Sequence, residues 1–189
     1  MPSATLDYLA ILVAARGDAV VVTTMTAAKL WPQISDSPRD LGYLPSAMSH
    51  AGDIALGLAL AQPERRVVCV NGDGSLLMNL GSLVTVAAAE ARNLLMLVLV
   101  NGTYEVVGGG RVPGAGRTDY APLAKASGWP FAVAFQDAGA FADGLPALLL
   151  AEGPAFAELA VVDPPGLSLT LPRHPGEVLR AMRRENAGG

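Results

Sequence analysis

The sequence predicts a doubly wound, mostly parallel α/β sheet with helices on both faces. Three observations carry that prediction. The runs 66–70 and Leu94–Val100 are apolar without polar alternation, as strands buried on both faces are. Each leads into a glycine turn, Asn71-Gly72-Asp73-Gly74-Ser75 and Asn101-Gly102-Thr103, with one helix-length segment between them. Strand and helix signals also alternate along the chain, the order of an α/β fold.

Residues 3–15 read as a helix, with Leu6, Leu9, Ile11, Leu12 and Val13 clustered and Gly17 beyond the end. Residues 19–23 form a short β-branched strand. The stretch 24–44 reads as irregular, because Pro32, Pro38, Asp36 and Asp40 interrupt any periodicity. An Ala- and Leu-rich helix is predicted over 46–61, where Gly52 and Gly57 imply close packing. A helix over about 77–91 then joins the two central strands. Residues 102–118 are glycine-rich with little apolar content, which marks a functional loop. A helix over 120–127 closed by Gly128, a strand Phe131–Phe135, a helix over 138–151 and a strand over 155–162 complete the alternation. Domain organisation is read as a single unit, 1–189, in which 164–189 form a proline-containing tail and a last helix over about 176–184.

At 189 residues the chain is long enough for one domain with a full core. It is 51% apolar and 16% charged, far from the composition of a disordered chain. A net charge of −4 argues against nucleic acid as a partner. Arg180, Arg183 and Arg184 read as a solvated last turn, and His174, set among prolines, as a surface residue. The single cysteine, Cys69, lies mid-strand and reads as a small buried hydrophobe in a reducing compartment. No basic region precedes the apolar stretch 9–15, and no run reaches membrane-spanning length, so a cytoplasmic protein with no membrane partner is expected.

Several familiar sites are excluded. Leu77 occupies the last glycine position of a G-x-G-x-x-G beginning at Gly72, and no phosphate loop of the G-x-x-x-x-G-K type is present. No serine lies in a G-x-S-x-G elbow, and two histidines with one cysteine cannot build a zinc cluster. What remains is the pair of strand-end turns. Asp73 and Asn101 lie 28 positions apart, room for one helix and one strand. A βαβ unit would return both to the same sheet edge, where ligands of open α/β sheets bind. A carboxylate, an amide oxygen and the Thr103 carbonyl suit Mg²⁺, with phosphate oxygens and water completing its octahedron. Gly72 and Gly74 let the backbone approach a phosphate, and Ser75 offers a hydroxyl and an N–H. Asp-Gly turns alone mark ordinary loops; two such turns flanking one helix are far more specific.

The segment from Gly72-Asp73-Gly74-Ser75 to Asn101 resembles the thiamine-diphosphate motif. The wider stretches GDGSLLMNLGSL and NLLMLVLVNGTYEVVGG, with Ser46-Ala47-Met48-Ser49-His50-Ala51 upstream, resemble the cofactor-binding half of sulfopyruvate and phosphonopyruvate decarboxylases. The likeness spans roughly residues 17–165. It implies a thiamine-diphosphate-binding fold, thiamine diphosphate and Mg²⁺ as cofactors, and Asp73, Asn101 and the Thr103 carbonyl as metal ligands. It further implies that Gly74 and Ser75 contact the diphosphate and that Met48 wedges the cofactor into its bent shape; a core methionine is the alternative. Thr24 and Thr26 would line the same edge or stand as surface turn hydroxyls. His50 would be a catalytic proton relay near the thiazolium or, equally, a packing residue. The chain departs from the family at Val100, where a second asparagine is frequent, at Ser49, where glycine is usual, and at Val107 and Gly110.

In this superfamily the glutamate that activates the cofactor comes from a pyrimidine-binding domain, and one sheet accounts for the whole of this chain. The resemblance therefore implies the diphosphate-binding subunit of a two-chain 2-oxo acid decarboxylase. Its partners would be a pyrimidine-binding subunit carrying the catalytic glutamate and a small 2-oxo acid, in an oligomer. Arg111 or Arg117 would meet an anionic substrate tail or be solvated loop charges. The alternatives are an acetolactate-synthase-like carboligase subunit and a non-catalytic cofactor-fold protein.

Overall fold

The computed structural model describes residues 1–42, 48–105 and 108–163, together with 176–177, 180–181 and 183–184 of the tail. The chain begins with α1 (Thr5–Ala15), β1 (Val20–Thr23), α2 (Met25–Leu30) and β2 (Asp40–Gly42). It continues through α3 (Ala51–Ala61), β3 (Val67–Gly72), α4 (Asp73–Leu77), α5 (Ser82–Ala88) and β4 (Leu94–Val100). A short hairpin of β5 (Thr103–Tyr104) and β6 (Gly110–Arg111) follows, then α6 (Tyr120–Ala126), β7 (Phe131–Phe135), α7 (Ala138–Leu150) and β8 (Ala155–Ala160). Six strands form one sheet in the order β2-β1-β3-β4-β8-β7, and every pairing is parallel.

The apolar strands read from the sequence are central because both of their faces are covered. Val67, Cys69, Leu94, Met96 and Val98 pack with α3, α5 and α6 on one face. Val68, Val70, Leu95, Leu97 and Leu99 pack with α1, α2 and α7 on the other. This period-two division between two cores explains why the strands show no polar alternation. Gly52 serves the packing directly, since a Cβ there would stand 2.8 Å from the Met96 methyl, whereas nothing lies within 4 Å of a Cβ at Gly57.

The structure corrects several element boundaries. The stretch 24–44 is not wholly irregular: it holds α2, a 3₁₀ turn over Trp31–Gln33, and β2. β2 is three residues long and takes its hydrogen bonds from β1, while a buried ion pair between Asp40 and Arg16 anchors its first residue. The helix expected over 77–91 begins at Asp73 and breaks after Leu77 before resuming as α5. Asn79 sits in the break and donates its amide to Asp53 (2.8 Å) and to the Ser49 carbonyl (3.3 Å), tertiary bonds that hold the interruption open. α3 starts at Ala51, after a turn at 48–50, while residues 46–47 lie outside the described residues. The last strand ends at Ala160, with Val161 bridged to Ser3. In the tail, the described residues among 176–184 are helical.

The strand order reverses beside β1. From β1 the chain crosses outward to β2, whereas β3, β4 and β8 extend the sheet the other way. A crevice therefore opens at the carboxyl ends of β1 and β3, the switch point where open α/β sheets receive ligands.

Candidate functional site

Residues from six elements meet at that switch point. The crevice is lined by Thr24, Met25, Thr26 and Ala27 after β1, Gly72 to Ser75 at the β3–α4 junction, and Asn101, Thr103, Tyr104 and Glu105 beyond β4; Thr5, Met48 and Leu99 complete it. Asp73 is 3% exposed and organises the floor. Its Oδ1 accepts from the Gly74 N–H and its Oδ2 from the Gly102 N–H, both at 2.8 Å. The second bond ties the β3 turn to the β4 turn across the 28 intervening positions. Asn101 Oδ1 accepts from the Thr103 N–H at 2.9 Å, an Asx turn that fixes the amide beside Asp73's partner Gly102. Ser75 is buried, and its hydroxyl accepts from the Ser49 N–H at 2.9 Å.

The electrostatics favour a cation. Burial pushes the Asp73 carboxyl above its ordinary range, against the opposing donation of the Gly102 and Gly74 N–H groups. Tyr120, also buried, is pushed up to about 12 by burial and then by the negative charges of Asp73 and Glu158. Asp73 has no ion-pair partner among the described residues. A buried carboxylate without a countercharge is costly, and a divalent ion on its free lone pairs would remove that cost.

The structure assembles Thr24, Met48, Gly72, Asp73, Gly74, Ser75, Asn101 and Thr103 around one crevice. It does not bring His50 to the lining: that side chain is 61% exposed and its Nδ1 is 2.9 Å from Asp53 at the start of α3. Val107 lies outside the described residues. Sequence reasoning missed Tyr104, whose ring lies so close over Gly74 that a Cβ there would collide with it. The signal available was its position directly after Asn-Gly-Thr. It also missed the backbone of Met25 and Ser49, held at φ 55° and 75°, a left-handed conformation uncommon outside glycine and frequent at ligand sites. For Ser49 the signal existed, because the resembling family places a glycine there.

Residues 22–159 match the family described as the thiamine pyrophosphate enzyme, C-terminal TPP binding domain. The chain belongs to that family. This TPP-binding domain is 38% identical over 146 residues to a phosphonopyruvate decarboxylase of Streptomyces viridochromogenes, covering 77% of the domain and 36% of the relative. It is 53% identical over 75 residues to the sulfopyruvate decarboxylase subunit beta of Methanothermobacter thermautotrophicus, covering 40% of each chain. The domain thus aligns with less than half the length of either relative. Its fold matches the crystal structure of a benzoylformate decarboxylase from Polynucleobacter necessarius with a TM-score of 0.71 at 18% identity, covering 82% of the domain and 32% of that chain.

The residues present fit the family's cofactor. The Thr24 hydroxyl is buried on the crevice wall and has no hydrogen-bond partner among the described residues, so it is available to a ligand there. A Cβ at Gly72 would project into open space, so the backbone there can be approached closely. The carboxylate, amide and carbonyl donors are the hard oxygen set that Mg²⁺ takes.

Proposed function

We propose that the chain is the thiamine-diphosphate- and Mg²⁺-binding subunit of a two-chain 2-oxo acid decarboxylase of the sulfopyruvate or phosphonopyruvate type. The observation that carries this reading is the joined pair of turns at the switch point, Asp73 to Gly102 at 2.8 Å, with the Thr24 hydroxyl, unpartnered among the described residues, on the same crevice. The relatives support it. The alignment to the sulfopyruvate decarboxylase β subunit takes the same share of both chains, so the two are of similar length. Against the phosphonopyruvate decarboxylase the shares are 77% and 36%, the proportion expected if that protein carries a further domain on the same chain.

In this reading Asp73, Asn101 and the Thr103 carbonyl would hold Mg²⁺, and Gly72, Gly74, Ser75 and Thr24 would hold the diphosphate. Met48 supplies an apolar support for the cofactor's bend. Bound thiamine diphosphate supplies a carbon nucleophile and an electron sink for loss of a carboxylate. The chain's own work is to bind, orient and exclude water. Leu99 and the Tyr104 ring supply apolar lining that would limit water around the cofactor. The glutamate that acts at the aminopyrimidine belongs to the pyrimidine-binding partner: Glu105, the crevice's own glutamate, already accepts from the Thr103 hydroxyl at 2.6 Å. The reducing cytoplasm is the compartment consistent with a free, buried Cys69.

The test is an affinity purification of the tagged chain from its own cells with thiamine diphosphate and Mg²⁺, read by mass spectrometry. A stoichiometric second chain carrying a pyrimidine-binding domain supports the split enzyme; recovery of this chain alone refutes it. Product analysis of that complex with pyruvate then separates decarboxylation, which yields acetaldehyde, from carboligation, which yields acetolactate.

A further inference from the structure

Residues 110–118, beyond the Asn101 turn, are built rather than slack. Val112 is buried, and its N–H donates to the Gly102 carbonyl at 2.9 Å, one peptide from the bond that Gly102 makes to Asp73. The next turn is stitched by Ala115 to Val112 (3.0 Å), Arg117 to Gly114 (2.8 Å) and Thr118 to Gly114 (3.0 Å). Gly114 and Gly116 take φ of 78° and 74°, a conformation that glycine adopts without strain. The result is a groove lined by Arg111, Val112, Pro113, Gly114, Ala115 and Arg117.

Arg111 and Arg117 both line this groove, and neither forms an ion pair among the described residues. Arg111 is oriented by a bond from its Nη2 to the Ala115 carbonyl at 3.0 Å, which spends one of its five donors. Other arginines are committed elsewhere: Arg16 pairs with Asp40, and Arg66 binds the carbonyls of Leu149 and Ala151. In a chain of 17 acidic and 13 basic residues, two unneutralised arginines in one concavity are not an averaged surface charge. An anion in the groove would give both a countercharge, and the planar guanidinium fork matches paired oxygens of a tetrahedral oxyanion.

We propose that the groove between Arg111 and Arg117 is an anion subsite that takes the tetrahedral oxyanion, sulfonate or phosphonate, at the far end of the 2-oxo acid. The assignment rests on the decarboxylase reading. The groove is linked through Val112 and Gly102 to Asp73, so it stands beside the turn that would hold the metal. An uncharged tail would leave both arginines without a countercharge, which makes the groove a selector of substrate class.

The experiment is site-resolved protection of arginines from phenylglyoxal, read by peptide mass spectrometry on the purified protein with its partner. Excess thiamine diphosphate and Mg²⁺ keep the diphosphate site filled. Methanesulfonate and methylphosphonate are the probes in separate arms, with acetate as the planar control. The expected result is a saturable fall of about fivefold or more in the modification of Arg111 and Arg117 together, with exposed Arg92 unchanged. The arm that protects at lower concentration identifies the tail. In the Arg117→Gln variant, protection of Arg111 should be lost while cofactor affinity, measured by calorimetry, stays at the wild-type value. Equal protection of all three arginines, no protection, or equal protection by acetate overturns the subsite. A chain that binds no thiamine diphosphate yet shows protection removes the decarboxylase reading and keeps an oxyanion site; one that binds the cofactor without protection removes the subsite alone.

Discussion

Asp73 carries its charge in a place that disfavours it, and the two N–H donors that hold it compensate only in part. Removing that carboxylate should therefore abolish metal-dependent binding while leaving the fold intact. Asp73→Ala is expected to weaken thiamine-diphosphate affinity in Mg²⁺ by roughly 100-fold or more, the range seen when a metal's support is lost; titration calorimetry reads it. His50→Ala, outside the crevice lining, should leave the same affinity within about twofold, since its contact is an exposed pair with Asp53. Ser49 at φ 75° makes an opposite prediction about stability. A left-handed non-glycine residue costs about 1–2 kcal/mol, of which glycine's greater unfolded entropy takes back about 0.4–1. Ser49→Gly should thus raise the denaturation midpoint modestly, by about 0.5 kcal/mol of stability, and an unchanged or lower midpoint would count against strain at this turn.

The β3–α4 junction is the element on which the site depends. Gly72 takes extended backbone that any residue can adopt, and a Cβ there meets nothing. Gly72→Ala should consequently leave the unliganded melting temperature unchanged and still cut cofactor affinity by about tenfold or more, because the space it fills is ligand space. If both quantities stay at wild type, the diphosphate lies elsewhere. Gly74 differs: its neighbour is the Tyr104 ring, so a side chain there disturbs the unliganded protein first. The early start of α4 was not legible, because Gly-Asp-Gly reads as loop material. Neither was β2, since three residues between prolines and aspartates carry no period. The central strands were legible because burial on both faces leaves an unbroken apolar run.

At the scale of the whole molecule, two helix layers close over one sheet and remove its ionisable residues from water. The Cys69 thiol is pushed up to about 12 by burial, with a smaller contribution from Asp53, and Tyr120 reaches about the same value. Both groups have folded values raised above their unfolded ones. Their contribution to stability is whole below pH 9 and falls as pH rises from about 9 for the thiol, and about 10 for the phenol, toward 12. Denaturant midpoints measured from pH 7 to 11 should decline over that window, with Cys69→Ala removing the thiol's share. A thiol reagent should modify Cys69 only at the rate of unfolding. Among the described residues no helix is long and apolar enough to cross a membrane.

The sequence by itself determined the parallel sheet, the two strand-end turns and the βαβ unit between them. These rest on local chemistry: apolar runs, glycine punctuation and a spacing of 28 positions. It also carried the family resemblance, since Asp73, Asn101 and their neighbours form one contiguous stretch. Only the tertiary structure decided that Asp73 is tied to the Gly102 N–H, that the Thr24 hydroxyl has no partner among the described residues, and that His50 lies outside the crevice lining. It alone gathered Arg111 and Arg117 into one groove. Those properties belong to distances between residues far apart in the chain, and spacing along a sequence does not encode which polar groups are left unsatisfied when the sheet closes.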